Sequence, residues 1–216
     1  SKYAKFIKDN YLNNTSKLVE IGSNDGTFLK NFMNSNLDFI GFEPSSNVAA
    51  IANKNQIKTL NSFFNQNSIE QISKFKNKTD VIYAANVICH VPNLPDLIKS
   101  VDKLLSKNGV FIFEEPYLGS MFEKTSYDQI YDEHIFMFSG SAIQKIFSLF
   151  DMELIDLIKQ PTHGGSMRYV VARKGSRKKN DNVQKILDQE KHNNLDNYNF
   201  CEKFKVNCEN SKMKLK

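Results

Sequence analysis

The sequence predicts an α/β fold, with a mostly parallel sheet, helices on both faces and an antiparallel strand at the end of the series. Three observations point there. Apolar runs of strand length alternate with segments of helical periodicity. The runs FIGF (39–42) and VFIF (110–113) are continuous, as strands buried on both faces require. The stretch VEIGSNDGTFL (19–29) places a glycine loop between a strand-like and a helix-like segment.

Residues 3–12 read as a short amphipathic helix, because Tyr3, Phe6, Ile7 and Tyr11 recur at helical spacing. Residues 17–21 form a strand that enters the glycine loop, and 25–34 read as the helix that leaves it. LDFIGFEP is a strand ending at Glu43, and a helix runs from Ser45 or Ser46 to about Asn55. IKTLNSFF is a short strand and turn. TDVIYAANVICHV opens with a buried strand at 81–84 and ends in a loop. Residues 94–105 are helical, with Asn108 and Gly109 as the stop signal. GVFIFEEPY is the fifth strand, closed by Pro116. Beyond Tyr117 comes an aromatic and acidic segment, 118–138, then a helix at 141–150. Two strand-like runs follow, MELIDLIKQ and SMRYVVARK, separated by PTHGGS. From about residue 180 the chain is polar and helical with a thin apolar stripe. Such a helix is not stable alone, so it packs on this domain, on a partner or on a further domain. The expected division is a domain at 1–175 and a helical extension or linker at 176–216.

The 216 residues are 40% hydrophobic, enough for a core, yet no apolar run reaches the ~20 residues of a membrane span. The first residues have no apolar stretch of the kind that marks a signal peptide, and a cytoplasmic location is expected. The net charge is +5, with lysines spread along the chain. The densest basic cluster, RKGSRKK (173–179), is short and without interleaved aromatics, so it reads as a solvated strand end; no nucleic-acid partner is expected. Cys89, Cys201 and Cys208 make neither a disulfide framework nor a CxxC pair, and zinc is not expected. Cys201 and Cys208 lie seven apart on one helix face and are expected to be buried free thiols.

Ligands in parallel sheets sit at the carboxyl ends of the strands. Those ends are Gly22, Glu43, the 61–64 turn, Asn86 and 114–117. A dinucleotide fingerprint wants G-x-G-x-x-G, whereas this loop reads Glu20-x-Gly22-x-x-x-Gly26. Asn24 stands where backbone must approach a pyrophosphate, which disfavours NAD. Asp25 can meet a positive amine or sulfonium, and Glu43 can accept hydrogen bonds from ribose hydroxyls. A nucleoside carrying an amino acid fits this set, which points to S-adenosylmethionine.

The set VEIGSNDGTFL, GFEPS, DVIYAANVICHV and GVFIFEEPY resembles the class I S-adenosylmethionine-dependent methyltransferases, with their Rossmann-like sheet. EIGSNDG, YDQIYDEH and HGGSMR together resemble the C-methyltransferases that act on nucleotide-linked 4-keto-deoxyhexoses. The resemblance spans about residues 15–175. Members of that family carry an N-terminal zinc-binding domain and a second C-terminal α/β domain; neither is recognised here, so missing flanking domains, or a homo-oligomer through the C-terminal helix, are expected.

The resemblance implies that Gly22, Asn24, Asp25 and Gly26 line the methionine side, beside Glu20. It implies that Glu43, followed by Pro44, binds the ribose, that Phe63 or Phe64 flanks the adenine, and that Asn86 lies near the sulfonium. His90 either approaches the substrate or caps the loop before Pro92. His134 would be the general base, with Glu133 and Tyr131 as helpers. A ketone acidifies the neighbouring sugar C3 proton; an imidazole can remove it, and a hydroxyl or N–H can stabilise the enolate. The family's usual motif has His where this chain has Asp132, which leaves the base in place and removes a second imidazole. Tyr117, His163, Gly164 and Arg168 are candidate substrate contacts, although the two glycines also suit a tight hairpin turn. The expected products are a C-methylated sugar nucleotide and S-adenosylhomocysteine. The competing readings are O- or N-methylation of another small molecule, a subunit that binds S-adenosylmethionine without turnover, and an NAD-dependent sugar enzyme.

Overall fold

The computed structural model describes residues 2–214. Its centre is a seven-stranded sheet of order β3-β2-β1-β4-β5-β7-β6. The strands are β1 (Lys17–Ile21), β2 (Asp38–Phe42), β3 (Thr59–Leu60), β4 (Thr79–Ala85), β5 (Leu105–Pro116), β6 (Met152–Gln160) and β7 (Ser166–Arg173). The pairs β1·β2, β1·β4, β2·β3 and β4·β5 are parallel. The last strand, β7, runs antiparallel between β5 and β6. The order reverses between β1 and β4, so their carboxyl ends splay apart and leave a crevice.

Alternation along each strand divides the core between two faces. Leu18, Val81, Val110, Ile112 and Val170 point to one face, covered by α1 (Lys2–Tyr11) and by Ala52 of α2 (Ser46–Lys54). Val19, Ile21, Ile82, Phe111, Phe113 and Val171 point to the other. That face is covered by α3 (Leu94–Leu104), α5 (Gly140–Ser148) and α6 (Asp181–His192). A short helix, α4 (Leu118–Lys124), opens the aromatic segment that follows β5.

Two expectations are corrected. Residues 25–34 are not an α-helix; they form turns and a single 3₁₀ turn, Leu29–Phe32. Asn24 is left-handed at φ 51°, and Asp25 Oδ1 accepts the Thr27 N–H at 3.0 Å. These polar side chains bond to nearby backbone, which stabilises turns where a helix nucleus would otherwise form. Cys201 is exposed and Cys208 only half-buried; neither is a core thiol. Both sit on α7 (Tyr198–Lys214), which rests on the domain through Phe200 and Phe204 against Phe122. The seven-residue spacing does put the thiols on one face, but the apolar seam runs through the phenylalanines instead. The last two positions of this expected helix lie outside the described residues.

The C-terminal extension docks through a buried acid. Glu190 on α6 accepts the Gly140 N–H at 2.7 Å, the Ser141 N–H at 2.9 Å and the Tyr117 hydroxyl at 2.9 Å. A carboxylate is favourable at that place, because the first N–H groups of α5 have no partner within their own helix. The basic cluster is likewise tied down: Arg173 pairs with Asp102 at 2.7 Å and Lys179 with Glu153 at 2.9 Å. No helix among the described residues is long and apolar enough to cross a membrane.

Candidate active site

A cavity of about 800 Å³ occupies the crevice between the carboxyl ends of β1, β2 and β4. Gly22, Asn24, Glu43, Pro44, Phe63, Phe64, Asn86 and His90 line it. The floor is tight. Gly22 has φ +67°, and a Cβ there would meet Val87 Cγ2 at 2.5 Å. Glu43, at the end of β2, accepts the Asn24 N–H on one oxygen at 3.0 Å and the Ser45 N–H on the other at 2.8 Å. Each oxygen keeps a lone pair for a ligand. Phe64 is packed edge-on to Phe42, with ring centroids 5.1 Å apart, whereas Phe63 is 71% exposed at the rim.

Other residues of the glycine motif stand behind this lining. Gly26, at φ +83°, makes room for Ile57. Asp25 turns back to Thr27, whose hydrogen bonds hold its carboxyl below the ordinary value. Glu20 is buried in β1, and burial, with the Asp25 charge second, pushes its carboxyl well above the usual range.

The loop after β4 is held from below. Glu115 at the end of β5 is 0% exposed, and its Oε1 accepts the Val87 N–H at 3.0 Å and the Ile88 N–H at 2.7 Å. Burial raises its pKa; a hydrogen bond from the Cys89 thiol, and then these N–H groups, act in the opposite sense. Above them Asn86 adopts φ 53° and its amide meets His163 Nε2 at 3.3 Å.

His90 joins the cavity to the YDQIYDEH segment. Its Nδ1 faces the Glu133 main-chain oxygen at 2.6 Å, and its ring centroid is 5.1 Å from that of His134. His134 Nδ1 faces the Gln129 carbonyl at 2.8 Å. A carbonyl oxygen only accepts, so Nδ1 carries the proton and Nε2 of the neutral ring presents its lone pair. The Tyr131 hydroxyl donates to that lone pair at 2.8 Å. His134 is therefore oriented by a main-chain carbonyl and by Tyr131. The Glu133 carboxylate is exposed, and the residue's main chain orients His90. His90 thus places a second imidazole beside His134. Cys89, buried beside Glu115, completes a group in which its Sγ and one nitrogen each of His90 and His134 lie within 4.8 Å of one another. Burial, and then the Glu115 charge, push that thiol's pKa up.

The remaining candidates lie apart from the cavity. Arg168 is 8% exposed, bonds Glu114 through Nε at 3.1 Å and Nη2 at 2.9 Å, and stacks 3.6 Å from the Tyr3 ring centroid. Tyr117 points to Glu190. Gly164 and Gly165, at φ 74° and 134°, form the turn that carries His163 to Asn86. Sequence reasoning missed Val87, Val91, Asp96 and Leu97, which line the cavity, and it placed Glu115 only within the 114–117 strand end, without its role beneath the loop. The only available signal for Glu115 was a second acid before Pro116 on an otherwise apolar strand.

The lining fits S-adenosylmethionine. Among the described residues it contains two carboxylates, Glu43 and Asp96, and no lysine or arginine. A cationic ligand without phosphates suits such a surface, and a pyrophosphate has no cation to meet.

A methyltransferase-domain family model matches residues 1–157, and a model for a C-methyltransferase C-terminal domain matches 161–216. The second model takes in β7, although β7 is hydrogen-bonded within the sheet. The chain is 28% identical over 150 residues to the C-methyltransferase NovU of Streptomyces niveus, covering 69% of this chain and 36% of that protein. It thus spans about a third of the length of that curated relative. Among solved structures, a SAM-dependent methyltransferase from Aquifex aeolicus superposes with a TM-score of 0.60 at 11% identity, covering 77% of this chain and 87% of its own. The cyclopropane synthase MmaA2 of Mycobacterium tuberculosis gives 0.61 at 11% identity, covering 80% and 83%. These likenesses show a shared fold. With a domain model matched over most of its length, the chain belongs to the methyltransferase-domain family, the class I fold that uses S-adenosylmethionine.

Proposed function

We propose that this chain methylates a carbon atom, next to the ketone of a nucleotide-linked 4-keto-deoxysugar, with His134 as the base. S-adenosylmethionine, when bound, supplies an electrophilic methyl group on a sulfonium. Glu43 takes the ribose hydroxyls, Asn24 and Asn86 face the polar end, and Phe63 and Phe64 flank the adenine. His134 removes the C3 proton at Nε2, with Nδ1 held on Gln129. The Tyr131 hydroxyl turns from Nε2 to the ketone oxygen, which frees the lone pair and stabilises the enolate. His90 lies between His134 and the cavity and guides the substrate.

One observation carries this reading: a histidine with a fixed tautomer and its Nε2 bonded to a tyrosine hydroxyl, next to a histidine that lines the cofactor cavity. Transfer to an oxygen or nitrogen nucleophile needs less, since the nucleophile already has a lone pair. The similarity to a protein named as a C-methyltransferase supports the same choice. Solvent deuterium exchange at C3 of a nucleoside-diphosphate 4-keto-deoxyhexose tests it. Wild type is expected to exchange the proton and His134→Ala to lose exchange; equal exchange in both removes His134 from the role.

A further inference from the structure

We propose that Cys89, His90 and His134 form a binding site for a borderline-soft divalent metal ion of the zinc or cobalt type. The Cys89 sulfur and one ring nitrogen each of His90 and His134 lie within 4.8 Å of one another, and a turn of either ring brings its Nε2 to the same centre. Bond lengths of about 2.3 Å to sulfur and about 2.0 Å to nitrogen put tetrahedral donors about 3.5 Å apart, so a contraction of up to about 1.3 Å closes the site. Cys89 and His90 sit on one 3₁₀ turn (Ile88–His90), while His134 belongs to a surface segment in which Ile130 and Ile135 are more than half exposed.

The imidazoles are prepared as ligands. Each directs Nδ1 to a main-chain oxygen, His90 to Glu133 at 2.6 Å and His134 to Gln129 at 2.8 Å. That anchoring fixes the tautomer and leaves Nε2 as the donor, the arrangement by which metal-binding histidines are usually oriented. One thiolate with two imidazoles favours zinc, cobalt or copper over magnesium or calcium, which prefer oxygen. The Tyr131 hydroxyl, 2.8 Å from His134 Nε2, borders the fourth position, which water can also fill. On ligation the Cys89 S–H bond breaks, a metal–sulfur bond forms and the proton passes to solvent. The metal undergoes no redox change.

A metal on Nε2 of His134 occupies the lone pair that the proposed reaction uses, so a bound ion shuts off turnover; this consequence rests on the proposed function, whereas binding itself does not.

The test is an optical titration of the full chain with cobalt(II), in a Cys201→Ser/Cys208→Ser background that removes the other two thiols. One saturating site is expected, with a sulfur-to-cobalt charge-transfer band and tetrahedral visible bands, both displaced by zinc. Cys89→Ser should abolish the charge-transfer band and weaken cobalt binding at least about tenfold, and His134→Ala should weaken it while keeping the band. Unchanged S-adenosylmethionine binding by calorimetry certifies that each variant is folded. Absence of a saturable band, or a band that survives Cys89→Ser, overturns the site. The titration uses no sugar substrate, so its result stands apart from whether His134 is a base.

Discussion

Glu115 holds the backbone of Ile88: its Oε1 accepts the Ile88 N–H at 2.7 Å from the end of a neighbouring strand. The same oxygen takes Val87, so one buried carboxylate sets the path of the loop that carries Asn86 and His90. Glu115→Gln keeps an acceptor in place and should cost little. Glu115→Leu strands two buried N–H groups and should destabilise the fold by about 2 kcal/mol or more in urea unfolding. It should also weaken S-adenosylmethionine binding along with turnover, since the loop it releases carries Asn86 and the Val87 that packs on Gly22.

Glu43 gives a prediction about the cofactor. Glu43→Ala removes the acceptor for Asn24 and Ser45 and the carboxylate facing the ribose. Calorimetry should show S-adenosylmethionine binding weakened roughly 10- to 100-fold, the range for a lost hydrogen bond to a charged group. Unchanged affinity would place the ribose elsewhere.

Glu20 makes stability fall with rising pH. Its carboxyl is held well above the usual range by burial and secondarily by Asp25. Below the ordinary carboxyl pKa both folded and unfolded chains are protonated and the contribution is fully present. As pH rises past that value the unfolded chain releases its proton first, and the contribution is lost through the folded pKa. Melting temperatures of wild type and Glu20→Gln should therefore diverge upward from mildly acidic pH, with the variant declining less. Parallel curves contradict this role.

Glu190 ties α6 to the domain through Gly140, Ser141 and Tyr117. Glu190→Ala should lower stability by about 2–3 kcal/mol, from a lost helix cap and stranded buried donors. Cofactor affinity should hold, because none of these groups lines the cavity.

What the sequence disclosed follows physical reach. Continuous apolar runs located β1, β2, β4 and β5, since strands buried on both sides leave that pattern. The carboxyl ends then named Gly22, Glu43 and Asn86, all of which line the cavity. The 25–34 segment misled because Asn24 and Asp25 bond to nearby backbone, a choice that periodicity does not register. Arg168 looked like a substrate contact, and only the pairing of β5 with β7 sets it opposite Glu114. Likewise His90 and His134 lie on separate segments, and their meeting depends on the fold around Cys89.

The central claim is that the methyl group goes to carbon. The most direct measurement is NMR of the product formed from S-adenosylmethionine labelled with ¹³C in its methyl group and a nucleoside-diphosphate 4-keto-deoxyhexose. A C–CH₃ signal coupled to the sugar carbon beside the ketone is expected, absent with His134→Ala. An O–CH₃ or N–CH₃ signal, or a C–CH₃ signal undiminished in His134→Ala, would contradict it.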